Sequence, residues 1–119
     1  MLDHITFAVG DYDKSKAFYE KALAPLGFKV LMEFGQACGF GETRPFFWIG
    51  GGGAIKGRLH VAFAAKDRAA VDAFHKAALA AGGKDNGAPG IRAQYSPTYY
   101  GAFVFDPDGN NMEAVTFGS

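Results

Sequence analysis

Hydrophobic and polar positions alternate with period two in "HITFAV" at 4–9. Ile5, Phe7 and Val9 make an apolar face, and His4, Thr6 and Ala8 lie opposite. "LHVAFAA" at 59–65 repeats the arrangement, with Leu59, Val61 and Phe63 against His60, Ala62 and Ala64. The period then lengthens after each strand. Ala17, Phe18, Leu23 and Leu26 form one helical stripe, and Val71, Phe74, Ala78 and Leu79 form another. Asp11 or Asp13 is the expected N-cap of the first helix and Asp67 that of the second, with Gly27 and Gly82 as stops. Strand patterns return in "FKVLMEF", "QACGFG" and "PFFWIG" in the first half. In the second half they are a weak strand near "IRAQY", then "YYGAFVFD" and "NNMEAVTF". The "DPDGN" between the last two predicts a tight turn, since Pro107 fixes φ, Gly109 tolerates positive φ and the aspartates bond their own backbone.

The two halves echo each other at a constant offset. His4 falls on His60, Phe7 on Phe63, Asp11 on Asp67, Phe18 on Phe74, Leu23 on Leu79 and Gly27 on Gly83. A run of matches in one order, without a gap, points to a duplicated unit rather than to chance, and two copies are too few for a solenoid. Each half reads as βαβββ, and two such units predict an α+β fold with a curved, mostly antiparallel sheet. The expected organisation is one domain of two modules, residues 1–52 and 58–119, joined by a glycine-rich hinge over 50–57. Those glycines lack a strand-turn-helix context, so they do not read as a phosphate loop.

Composition removes several functional classes. The chain has 119 residues, with 12 basic side chains balancing 12 acidic ones, which leaves no electrostatic footprint for nucleic acid or an anionic membrane. No apolar run approaches the ~20 residues that span a bilayer, and "MLDHITF" has no signal-peptide pattern. A lone Cys38 makes no internal disulfide, which fits a reducing cytoplasm. With 12 Phe and 5 Tyr, the chain has rings enough to line a small-molecule pocket as well as a core.

The histidines at matched places on matched strands ask for a common partner. Imidazole is the commonest transition-metal ligand, and metal sites draw ligands from separate strands. The carboxylate to join them is Glu113, a charge within the otherwise apolar "NNMEAVTF", where it is costly unless paired or coordinated. His4, His60 and Glu113 would make a 2-His-1-carboxylate set that leaves positions open for substrate. Such a set suits Fe(II), Mn(II), Zn(II) or Ni(II), and does not choose among them.

With these residues, "DHITFAV", "LHVAFAA" and "FVFDPDGNNMEAV" together resemble the vicinal oxygen chelate superfamily along essentially the whole chain. That is the group of glyoxalase I, extradiol dioxygenases, fosfomycin-resistance transferases and bleomycin-binding proteins. The resemblance implies ligands on the first and last strands of the modules, which map onto His4, His60 and Glu113. It also implies a barrel-like cavity for a small-molecule substrate, enclosed within one chain or between two, and a homodimer for short chains. The expected activity is metal-dependent lyase or isomerase chemistry of the glyoxalase type. A thiol transferase or dioxygenase on the same triad, or a binding protein without turnover, are the alternatives. One departure bears on this: glyoxalase I has a second carboxylate on the last strand of the first module, whereas "RPFFWIGG" offers none, and Glu42 lies just before it. The catalytic base is accordingly unassigned. Candidates for substrate contact are Thr6 beside His4, Trp48 as an apolar wall, Arg92 as a clamp for an anionic group, and Tyr95 and Tyr100 as phenol donors.

Overall fold

The computed structural model describes residues 2–53 and 59–118; the part of the expected hinge at 54–57 lies outside them. The first module runs β1 (Ile5–Ala8), α1 (Tyr12–Leu23), a 3-10 turn (Ala24–Leu26), β2 (Lys29–Phe34), β3 (Ala37–Gly41) and β4 (Pro45–Gly50). The second runs β5 (His60–Ala64), α2 (Arg68–Ala80), β6 (Lys84–Ile91), β7 (Tyr100–Phe105) and β8 (Asn111–Thr116). The sheet orders are β1-β4-β3-β2 and β5-β8-β7-β6, the same topology twice. In each sheet the first strand runs parallel to the last and the other pairings are antiparallel. Duplication is therefore visible in topology as well as in sequence.

Local chemistry explains the element boundaries. Asp11, not Asp13, caps α1 by accepting from the Lys14 amide at 3.1 Å, and Asp67 caps α2 by accepting from the Ala70 amide at 2.8 Å. The chain leaves the 3-10 turn through Gly27 at φ 88°, a backbone conformation that a side chain would resist. One strand differs from expectation. The weak strand placed near "IRAQY" is β6, ending at Ile91, and Ala93–Tyr95 form a turn instead. β6 is an edge strand whose register shifts twice, around Gly87, so "KDNGAPGI" carries no alternation to read.

One core joins the modules. Phe7, Val9, Phe40, Phe47 and Ile49 from the first sheet and Phe63, Val104, Met112 and Ala114 from the second are buried with Phe18, Tyr19, Val71 and Phe74 of the helices. Phe47 and Phe63 meet edge to face at 5.0 Å across the junction. Thr6, His60 and Ala62 lie on the other faces of these sheets and are exposed. The sheets are curved but do not close on each other within the chain. Cys38 is buried in β3.

Candidate metal and substrate site

The open face of the second sheet carries the candidate chemistry. Ala62 pairs with Glu113 across β5 and β8, and Phe103 pairs with Glu113 from the other side, on β7. His60, two residues before Ala62, leans over the carboxylate, with Nε2 2.8 Å from Glu113 Oε1. The side chain of Glu113 is 1% exposed, whereas that of His60 is 54% exposed. The ring thus covers the carboxylate while keeping its own outer surface in solvent. Tyr99 donates its hydroxyl to Glu113 Oε2, so both carboxylate oxygens have partners. Burial and the Glu113 carboxylate push the Tyr99 phenol up to about 12. It stays protonated, and so a donor, at neutral pH.

Rings and one cation extend this surface. The His60 and Phe103 ring centres are 6.2 Å apart. The Arg92 guanidinium lies 5.3 Å over Phe103 and donates to the Ala88 carbonyl. Tyr95 and Phe117 flank Tyr99 at 5.0 and 5.2 Å, and both are exposed.

The sequence candidates separate into three places. His60, Glu113, Arg92 and Tyr95 belong to this face. His4, Thr6 and Trp48 belong to the first sheet, with Thr6 paired to Trp48. His4 stands just ahead of β1, exposed, with Nδ1 2.9 Å from Asp3. Among the described residues, no three His, Cys, Asp or Glu side chains converge as a metal site within the chain. Tyr100 lies in the third place. It shares its phase with the core residues Ala102 and Val104, so it faces α2, where it donates to Asp72 at 2.6 Å beneath the Arg68 guanidinium. Tyr99 occupies the open face instead. The signal was in the strand: small apolar residues mark the helix-covered side, and Tyr99 is in phase with Gly101 and Phe103 opposite.

The duplicated register also locates the missing second carboxylate. Thr6 is the echo of Ala62 and pairs with Trp48, as Ala62 pairs with Glu113, so Trp48 holds the position of Glu113 in the first module. Its indole stacks on Phe34 at an interplanar angle of 7°, 6.3 Å between centres. It lies against Gly39, where a Cβ would come within 2.6 Å of the ring. Two clefts, of about 440 and 680 Å³, lie elsewhere, one beside the "DPDGN" turn and one between Phe28 and Ala65; neither is lined by His60 or Glu113. The chemistry at Glu113 is a better guide to the site than concavity in a single chain.

The donor set suits a divalent ion. Ligands at about 2.1 Å from a metal and at right angles to each other are roughly 3 Å apart. The 2.8 Å between His60 Nε2 and Glu113 Oε1 is close to that span.

A two-module chain with repeated βαβββ topology and a histidine-carboxylate pair on an open sheet face defines the class. Residues 1–114 match the family model described as the Glyoxalase/Bleomycin resistance protein/Dioxygenase superfamily, and the chain belongs to that superfamily. Its fold is similar to a glyoxalase/bleomycin resistance protein from Albidiferax ferrireducens, with 30% identity, 97% of both chains covered and a TM-score of 0.82. It is similar to a variant of the fosfomycin resistance protein FosX from Listeria monocytogenes, complexed with Mn(II) and 1S,2S-dihydroxypropylphosphonic acid. There the identity is 21%, with 100% of this chain and 90% of that one covered and a TM-score of 0.73. Against a glyoxalase I variant from Zea mays, identity is 22% and the TM-score 0.72, covering 99% of this chain and 46% of that one. No curated protein matches the chain in sequence.

Proposed function

We propose that this chain is a small divalent-metal-dependent enzyme of the glyoxalase type, with lyase or isomerase chemistry on a substrate that presents two oxygens. The observation that carries the reading is Glu113, a carboxylate 1% exposed yet facing His60 on an open sheet face. Burying a carboxylate costs several kcal/mol unless partners offset it; the Tyr99 hydroxyl holds Oε2, and Oε1 has only a half-exposed imidazole. A cation held between His60 and Glu113 answers that cost. Bound there, a divalent ion would act as a Lewis acid toward the substrate oxygens. His60 supplies a nitrogen donor, Glu113 an anionic oxygen, and Arg92 a positive charge for an anionic group at the far side of Phe103. Tyr95, Tyr99, Phe103 and Phe117 set aromatic rings along that surface. FosX from Listeria monocytogenes, complexed with Mn(II) and a diol phosphonate, supports the reading by analogy.

His4 completes the set when a second copy of the chain supplies it. The reading is thus a cytoplasmic homodimer whose sites are shared, with Thr6 and Trp48 of one copy brought beside His60 and Glu113 of the other. Exposed Phe34, Met32, Tyr95 and Phe117 on the open faces favour such a cover. A binding protein without turnover is the second reading, favoured by the Trp48–Phe34 stack in the place of a fourth ligand.

Titration with Mn(II), Fe(II), Ni(II) and Zn(II), followed by elemental analysis, tests the metal. One ion per chain, lost in His60→Ala and in Glu113→Ala, is expected. Binding indifferent to both substitutions, or none, sinks the enzyme reading in favour of the binding protein.

A further inference from the structure

We infer that Tyr99 is a positioning residue for the carboxylate, holding Glu113 so that Oε1 alone is presented to an ion beside His60; this rests on the metal reading above. The two carboxylate oxygens are distinguished by their partners. Oε1 faces the His60 ring, and Oε2 accepts the Tyr99 hydroxyl. If His60 turns its nitrogen to an ion, Oε1 is released toward that ion while Oε2 stays engaged by the phenol, which disfavours two-oxygen ligation and leaves more coordination positions for two substrate oxygens.

The surroundings keep the phenol in place. Its ring is held between Tyr95 and Phe117. On the neighbouring strand Gly101 leaves the space that Tyr99 and Glu113 use: a Cβ there would lie 3.1 Å from Tyr99 Cε1 and 3.3 Å from Glu113 Oε2. The hydroxyl has no other hydrogen-bond partner among those found for the described residues, so its evident task is to hold Oε2. Tyr100, next in sequence, is spent on Asp72 across the sheet.

The test uses the full chain, with Mn(II) for affinity and Co(II) for its visible spectrum. Tyr99→Phe keeps the ring packing and removes the donor. It should weaken Mn(II) binding about tenfold or more, the usual consequence of losing a group that orients a ligand. It should also change the Co(II) band intensity as the second oxygen becomes free to bind. Gly101→Ala, which keeps the hydroxyl but crowds both partners, should weaken binding in the same direction. In a Glu113→Gln background Tyr99→Phe should add nothing. Unchanged Mn(II) affinity and Co(II) spectrum in folded Tyr99→Phe would overturn the positioning role while leaving the metal site standing. No stoichiometric metal in the native chain would overturn both.

Discussion

Tyr19 shows how one side chain ties the two modules together. It is 1% exposed on α1 and donates to Asp106 Oδ2 at 2.5 Å, in the turn before β8. The same aspartate accepts from the Asp108 and Asn110 amides at 2.9 and 2.8 Å. This is the "DPDGN" turn anticipated from the sequence, and its first aspartate is also an anchor for the first helix. Removing the donor leaves a buried carboxylate short of a partner, so Tyr19→Phe should cost about 2 kcal/mol at neutral pH, measurable by urea unfolding. Burial, then the Asp106 charge, raises the Tyr19 phenol well above its ordinary value of 10. A raised folded-state value contributes stability in full below the unfolded value and loses it as pH rises beyond. Melting temperature should therefore fall above about pH 10, and less steeply in Tyr19→Phe. An equal slope in both proteins would remove Tyr19 as a source of the alkaline loss.

The helices share one device at the scale of the element. Asp11 and Asp67, matched in the sequence echo, each accept a hydrogen bond from the amide three residues on. Each contributes an N-cap worth about 1 kcal/mol. Asp11→Ala and Asp67→Ala should each lower stability by about that amount, and the double variant by about the sum, since separate sites add. Chemical denaturation of the three variants checks this, and a marked departure from additivity would mean that the helices couple through their caps. The caps were legible, to within the choice of Asp11 or Asp13 for α1, because they depend on neighbours in sequence. The edge strand β6 was not, because bulges at Gly87 erase the alternation that a regular strand would show. Tyr99 and Tyr100 differ by a single step of the pleat, and packing of Ala102 and Val104 against α2 decides which of them reaches Glu113.

For the whole molecule, the open faces and the separation of His4 from His60 and Glu113 make the proposed dimer testable by complementation. Chains carrying His4→Ala and chains carrying Glu113→Ala should each bind no stoichiometric metal alone. Mixed, unfolded and refolded together, they should regain one site per hybrid dimer, because one site then draws His4 from one copy and Glu113 from the other. Elemental analysis of the isolated hybrid reads the result, with sedimentation reporting its mass. Ions bound by the native protein but never recovered in hybrids would mean that each site is built within one chain.

Period-two and helical alternation, the caps, the final turn and the duplicated βαβββ unit follow from the chain alone, because all rest on interactions between residues close in sequence or on a repeat visible in it. The histidines and Glu113 stood out for the same reason, as polar positions in apolar strands. Only the tertiary structure decided that His60 and Glu113 meet while His4 does not. It also decided that Trp48 stands in the first module at the position that Glu113 holds in the second, and that Tyr99 rather than Tyr100 turns toward the acid. Those outcomes depend on strand pairing across the sheets and on which face the helices cover, long-range choices made by packing rather than by local sequence.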